Sequence, residues 1–279
     1  MPIAAGIKTL GIRGSFMGVF KNSELLHAYT KFSNEISDKS RNIIMPYFRN
    51  ELKIENKKDS SPVTQADKKA ELFLRNEIKQ KFPQDGVYGE EYGYDEGSSD
   101  FTWVIDPIDG TKSFISGMPL FGTLIALLHK DTPVLGIIDI PALDERWFAA
   151  QGEGTLFNGN PVKTRACSSL SDAGCLTTTP FNFTGHDSEK YEKVAGTVSW
   201  MRFGGDCYMY GLLASGFADL VFEATLQPYD YLALAPIIQE AGGSITDWQG
   251  KPLSLNSSGH VIASGDKCVH EEALTILRT

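Results

Sequence analysis

The residues Trp103 to Thr111, W-V-I-D-P-I-D-G-T, place two carboxylates, Asp106 and Asp109, on the exit of an apolar strand just before a Gly-Thr turn. Carboxylates there are hard oxygen ligands suited to Mg²⁺, and N–H groups that open a helix after them face an anion well. The chemistry this implies joins a metal ion to a phosphate. Asp106 precedes Pro107, which restricts it to extended geometry, and Pro107 offers a carbonyl but no N–H. Asp106, the Ile108 carbonyl and Asp109 can then converge on one side of the turn, while Gly110 permits close approach of a ligand and Thr111 supplies an N–H and a hydroxyl. The competing reading of D-x-x-D-G is an ordinary turn between two strands, since Asp and Gly are common turn residues.

Two further acidic clusters weigh against the plain turn. Gly89-Glu90-Glu91 follows a short apolar stretch, Phe82 to Tyr88, and Pro228-Tyr229-Asp230 stands at the mouth of a helix-like run, Tyr231 to Ala241. Clusters this far apart along the chain can supply one site.

Four motifs occur in order: Pro62-Val63-Thr64 with Asp67, Gly89-Glu90-Glu91, Trp103 to Thr111, and Asp230 followed by Ala241-Gly242-Gly243. Through them, from about Glu24 to the C-terminus, the chain resembles the inositol monophosphatase-like family of Mg²⁺-dependent, lithium-sensitive sugar and nucleotide phosphatases. Within that family its likeness is strongest to the plant-type histidinol-phosphate phosphatases of histidine biosynthesis, over Asp109 to Leu127, Gly136 to Trp147 and Gly205 to Leu234. Inositol phosphatases usually carry Asn-Phe after Asp-Gly-Thr, where this chain has Lys112-Ser113. They carry Gly-Ser-Ala-Ala where it has Gly205-Asp206-Cys207-Tyr208.

The resemblance implies an α+β fold, a layered α-β-α-β-α sandwich of the inositol monophosphatase / fructose-1,6-bisphosphatase type. It makes Glu90, Asp106, Asp109, Asp230 and the Ile108 carbonyl ligands of two or three Mg²⁺ ions, and Gly110 and Thr111 holders of a phosphate oxygen through their N–H groups. The reaction it implies is a one-step in-line displacement by metal-activated water, without a phosphoenzyme, with Glu90 and Thr111 taking part. The Thr111 hydroxyl, backed by an upstream acid, would orient the water and help remove its proton. At that acid the chain departs from the inositol enzymes, which place Asp directly ahead of a Leu-Val-Thr run. Ser61 stands there, and the role passes to the nearest acid, Asp59, whose alternative is a solvated loop residue beside Lys57 and Lys58. Thr64 and Asp67 read as caps of a helix from Ala66 to Lys81.

Substrate choice is expected in the last cluster. Glu223, seven residues before Asp230, stands where family members bind the hydroxyls of the leaving group. Asp206 adds a negative charge that suits the amine of histidinol, or else caps a helix. The expected activity is hydrolysis of L-histidinol phosphate to L-histidinol and phosphate. Inositol 1-phosphate and a 3′-phosphonucleotide are the alternatives inside the family, and a regulator that binds metal and a phosphorylated ligand is the alternative outside enzymes. The resemblance also implies a homodimer.

These groups need elements to position them. Glu24 to Phe48 reads as an amphipathic helix with apolar residues at Leu25, Ala28, Phe32, Ile36, Ile43, Ile44 and Tyr47, and Lys68 to Phe82 as a second, ended by Pro83. From Thr102 to Ala150 the pattern turns to strands, at Trp103 to Ile105, Thr123 to Leu128, Val134 to Ile140 and Arg146 to Ala150, with His129-Lys130-Asp131-Thr132 as a hairpin turn. A turn around Phe157-Asn158-Gly159-Asn160 follows, with strands near Ala173 to Thr178 and Asp219 to Phe222 and helices at Tyr208 to Ser215 and Tyr231 to Ala241; Asp187 to Thr197 reads as a surface helix or loop. The expected organisation is an extension over 1–21 and one catalytic domain over 22–279, a β-meander half to about 155 and an α/β half after it.

With 279 residues, 42% of them hydrophobic, the chain can bury a substantial core. A net charge of −9, without a basic stripe, disfavours a nucleic-acid binder, and none is expected as a partner. The 4 cysteines show no C-x-x-C spacing and the 5 histidines no ligand pair, so zinc and disulfide frameworks are not indicated, and a reducing, cytoplasmic setting is expected. No apolar run approaches the roughly 20 residues needed to span a bilayer, so no membrane role is expected. Met1 to Phe20 holds Lys8 and Arg13 but no acid, the composition of a targeting remnant or of an extension outside the fold.

Overall fold

The computed structural model describes residues 23–50, 54–56 and 62–279; the extension over 1–21, Asp59 and Ser61 lie outside the described residues. The first helix, α1 (Ser23–Ile44), ends in a 3₁₀ turn, Met45–Tyr47, short of the expected Phe48. Its buried face runs through Tyr29, Phe32, Ser33, Ile36, Ser37, Ser40 and Ile44, while Leu25 is exposed. Serines fill three of the seven places in an i, i+3, i+4 stripe that apolar residues alone do not reveal. Ser33 and Ser40 donate to the carbonyls of Thr30 and Ser37, whereas the Ser37 hydroxyl is buried with no hydrogen-bond partner among the described residues.

A short ladder of β1 (Ile54–Asn56) and β2 (Pro62–Thr64) leads into α2 (Gln65–Lys81). The Thr64 hydroxyl accepts the N–H of Ala66, and the Thr64 N–H donates to Asp67, closing the expected capping box. There follow β3 (Gly86–Gly89), β4 (Gly93–Asp95), β5 (Phe101–Asp109), a single turn α3 (Thr111–Ile115), and a meander of β6 (Gly122–His129), β7 (Thr132–Ile140), β8 (Glu145–Ala150), β9 (Gly154–Phe157) and β10 (Asn160–Val162). They form an eight-stranded sheet in the order β10-β9-β8-β7-β6-β5-β3-β4, antiparallel except where β3 runs parallel to β5. The expected hairpin turn at Lys130 and Asp131 is present, and the expected turn at Asn158 and Gly159 is a hairpin as well; all four have positive φ, the backbone that two-residue turns require.

The second half contains β11 (Gly174–Thr177), α4 (His186–Ala195), β12 (Trp200–Phe203), α5 (Tyr208–Ala214), β13 (Leu220–Glu223), α6 (Pro228–Tyr231), α7 (Leu234–Glu240), β14 (Ser244–Thr246), β15 (Val261–Ser264) and α8 (Lys267–Leu277). Its five strands lie in the order β12-β11-β13-β15-β14. The expected helix over Tyr231 to Ala241 is broken into α6 and α7. Pro236 is tolerated only in the first turn of a helix, so a new helix must start near Leu234.

Alternation along β5 decides the layers. Trp103 and Ile105 join Tyr29, Phe32, Ile36, Leu74 and Ile78 of α1 and α2 in one core. Val104 faces the other way, into a core with Met209, Tyr210 and Leu213 of α5, Leu234 to Ile238 of α7, and Val221, Val261 and Ala263 of the second sheet. Beyond that sheet, Phe222 and Ile262 pack on Val194 of α4 and Val269, Ala273 and Leu274 of α8. The result is the expected five-layer α-β-α-β-α sandwich.

Candidate active site

Asp106 follows Val104 by one strand period and so turns toward the central helical layer, where it is buried. Pairing of β5 with β6 slips between Asp106 and Asp109, and Pro107 is accommodated at that irregularity. The Ile108 N–H folds back onto Asp106 Oδ1 at 3.0 Å, and the Thr111 hydroxyl donates to the Ile108 carbonyl at 3.2 Å. That bond occupies one lone pair of the carbonyl and leaves the Thr111 oxygen free to accept. Gly110 has φ +82, and an added Cβ there would stand 2.7 Å from an Asp206 oxygen, so only glycine fits.

Asp230 arrives from the other half of the chain. It lies inside α6, at its third residue, rather than ahead of a helix, and accepts the N–H of Gln227 at 2.7 Å in a capping box. One carboxylate oxygen from each of Asp106, Asp109 and Asp230 lies within 4.8 Å of the others. Glu90 follows the parallel pairing of Gly89 with Ile105, which brings it beside Asp106. Glu90, Asp109, Gly110, Thr111, Asp206, Glu223 and Asp230 line one cavity of about 510 Å³.

Burial pushes Asp106 and Asp109 well above the usual carboxylate range; the charges of Glu90, Asp109, Asp230 and Asp67 add to the rise at Asp106, and those of Asp206 and Asp230 at Asp109. Asp109 is moderated by the Cys207 N–H, which donates to its Oδ2 at 2.7 Å. Burial, aided by Glu90, Glu223 and Asp206, pushes Asp230 up to about 8 against the lowering effect of the Gln227 N–H. Asp67 is also raised by burial, and among the described residues its Oδ1 is buried with no hydrogen-bond partner. Among the described residues no lysine or arginine forms an ion pair with Asp106, Asp109 or Asp230, and acids crowded in this way, all offering hard oxygens, fit a divalent cation such as Mg²⁺.

The turn that carries Glu90 has a clamp that the motifs did not reveal. Glu71, fully buried on α2, accepts the N–H groups of Glu91 at 2.7 Å and Tyr92 at 3.1 Å. Arg75 Nε holds Glu71 at 2.8 Å, and its other nitrogens reach the carbonyls of Val87 and Gly93 and the Asp95 carboxylate. An added Cβ at Gly89 would stand 2.3 Å from Glu71, so glycine permits the approach. The spacing of Asp67, Glu71 and Arg75 at i, i+4 on one helix face was the signal available in the sequence.

At the far end of the cavity, Glu223 is buried with both oxygens engaged. Oε1 accepts the Thr178 N–H at 3.0 Å and Oε2 the Tyr210 hydroxyl at 3.1 Å, while burial pushes the group up to about 7. Asp206 does not cap a helix: Cys207 is the N-cap residue of α5, and no side chain caps it. Asp206 instead has φ +45 and accepts the Ser113 hydroxyl at 2.8 Å. Burial raises its carboxyl, against the Ser113 bond and the Lys112 charge. The two places where the sequence departs from the inositol phosphatases, Lys112-Ser113 and Asp206, therefore touch each other inside the site.

A strand-end carboxylate cluster in an α-β-α-β-α sandwich defines a class, and comparison with known proteins identifies it. The family model described as the inositol monophosphatase family matches residues 25–279, and the chain belongs to that family. The bifunctional phosphatase IMPL2, chloroplastic, of Arabidopsis thaliana is 47% identical over 261 residues, 90% of this chain and 75% of that protein. A histidinol-phosphatase of Chlorobaculum parvum is 38% identical over 238 residues, covering 82% of this chain and 90% of that protein. An inositol monophosphatase structure from Zymomonas mobilis superimposes with a TM-score of 0.83 at 42% identity, covering 91% of this chain and 98% of that one. Phosphoric monoester hydrolysis is the class of activity that this membership carries. Among the described residues no helix is long and apolar enough to cross a membrane.

Proposed function

We propose that the protein is a Mg²⁺-dependent histidinol-phosphatase, hydrolysing L-histidinol phosphate to L-histidinol and phosphate. The observation that carries this reading is Asp206, seated at the mouth of the carboxylate cluster by Ser113 and lining one cavity with Glu223. A leaving group with an ammonium suits that pair, whereas a neutral polyol has no charge to offer it. The relatives described as histidinol-phosphatases support the same choice.

Glu90, Asp106, Asp109, Asp230 and the Ile108 carbonyl would hold the Mg²⁺ ions, two or three of them. Bound there, Mg²⁺ supplies Lewis-acid charge neutralisation and lowers the pKa of water. The N–H groups of Gly110 and Thr111, which follow Asp109 directly, would orient the phosphate. Thr111 Oγ1, whose proton rests on the Ile108 carbonyl, would accept from the incoming water and turn it for in-line attack. For the water's proton to leave, the Thr111 hydroxyl would turn its own proton from the Ile108 carbonyl to Asp59 and take the water's in exchange. Asp206 and Glu223 hold the amino end of the leaving group. On the same reading Li⁺ inhibits, residues 22–279 act as one catalytic unit with 1–21 as an extension, the enzyme works as a homodimer, and its free cysteines suit a reducing compartment such as the cytoplasm.

The test is phosphate release, with and without Mg²⁺, from L-histidinol phosphate, myo-inositol 1-phosphate and 3′-phosphoadenosine 5′-phosphate. The expected result is Mg²⁺-dependent release with histidinol phosphate strongly preferred. Preference for another substrate overturns the assignment, and no release from any of them leaves a phospho-ligand-binding regulator.

A further inference from the structure

The cavity that holds the carboxylates has an apolar rim. Phe181 lines it and is 87% exposed, the most exposed of the large hydrophobic side chains among the described residues. Met118, 48% exposed, lines it from the turn after α3. An isolated exposed aromatic is ordinary on a surface, but this one is held in place from both sides. Before it, the Thr178 N–H is tied to Glu223 and the Gly204 N–H is bonded to the Thr178 carbonyl at 2.9 Å. The Thr179 hydroxyl accepts the N–H of Phe181 itself, and Pro180 sets the turn. After it, Phe183 is 4% exposed and stacks on Tyr191 and Trp248. A rigid backbone therefore presents a ring that packs against little of its own chain, at the mouth of a polar cavity. Beside it the Asn182 amide, which lines the same cavity, offers one donor and one acceptor.

We infer that Phe181 and Asn182 are specificity-determining residues that receive a planar nitrogen heterocycle at the distal end of the leaving group, the ring stacking on Phe181 and a ring nitrogen bonding to the Asn182 amide. The inference rests on the reading of the substrate as histidinol phosphate and assigns its imidazole a place, on the opposite side of the amine from the phosphate. A half-protonated imidazole gains from both stacking and cation–π attraction, and an aliphatic or polyol leaving group gains neither.

The experiment compares wild type, Phe181→Ala and Phe181→Trp on L-histidinol phosphate and myo-inositol 1-phosphate, with thermal melting of each protein. Phe181→Ala is expected to lower the ratio of kcat/KM for histidinol phosphate to that for inositol phosphate by about five- to tenfold, mainly through KM. Phe181→Trp restores the ratio, and all three proteins melt alike. A ratio unchanged in Phe181→Ala while the wild type prefers histidinol phosphate overturns the ring platform alone. So does an equal loss on both substrates. A wild type that does not hydrolyse histidinol phosphate overturns the substrate reading and the platform together.

Discussion

Two places in the large sheet bury aspartates, and they treat them oppositely. Asp139 on β7 is fully buried and accepts hydrogen bonds from Arg41 Nε at 2.7 Å, Arg41 Nη2 at 2.6 Å and Arg146 Nε at 2.7 Å. Outer acids complete that network, Asp38 on Arg146 and Asp144 on Arg41. Asp106 on β5, two strands away, is just as enclosed, yet it accepts a hydrogen bond from the backbone N–H of Ile108 and its neighbours are acids. Where a buried acid holds elements together, the chain supplies its own cations. At the acid cluster, where metal binding is proposed, the charge is left to be neutralised from outside.

The strongest test of this contrast is Asp109→Asn, which removes a proposed ligand and one like charge. Phosphate release is expected to fall about 10³-fold or more, while the metal-free variant melts no lower than metal-free wild type. A marked loss of metal-free stability would make the cluster structural. The opposite behaviour is expected of Asp139→Ala, which strands two arginines and should cost about 3 kcal/mol of stability in denaturant unfolding.

The contrast also predicts a pH dependence. Asp230 is raised from 3.8 to about 8, so the folded metal-free protein binds protons that the unfolded chain has released. Its contribution to stability is complete below pH 3.8 and is lost as pH rises through about 8. Melting without Mg²⁺ should fall, on the order of 5 °C between pH 5 and 8, and Mg²⁺ should remove most of that slope. A metal-free profile that is flat, or that rises with pH, would break the comparison. The smallest expected effect is at the clamp: Glu71→Gln should raise the Mg²⁺ concentration for half-maximal activity about tenfold. It should weaken the Mg²⁺-induced rise in melting temperature in parallel, with kcat at saturating Mg²⁺ largely kept.

Much of the architecture was legible in the sequence because its signals are local. The meander strands are period-2 or continuous apolar runs closed by turns such as Lys130-Asp131, and the Thr64–Asp67 cap lies within four residues. Features that depend on distant partners were read less well. The serine stripe of α1 looks polar in a linear reading and is nevertheless buried, with Ser33 and Ser40 each finding a carbonyl one turn back. The break between α6 and α7 had a sequence signal in Pro236 that the apolar run around it masked. In the site, Asp106, Asp109, Glu90 and Asp230 converge as their motifs suggested, whereas Asp206 is tied to Ser113 rather than to the helix it precedes, a partner 93 residues away.

The sequence alone determined the types of group available: hard oxygens on a strand end, a glycine that lets a phosphate approach, and an excess of acid over base. Spacing also put Asp106 and Asp109 at the exit of an apolar strand, while the face of β5 that carries Asp106 emerged only from packing. Only the tertiary structure decided which acids remain unneutralised. Arg41, Arg75, Arg146 and Arg165 are each spent on Asp139, Glu71 or Asp219, and among the described residues the cluster of Asp106, Asp109 and Asp230 is left without a guanidinium. Charge pairing acts over a few ångströms in space, and the distance along the chain does not report it.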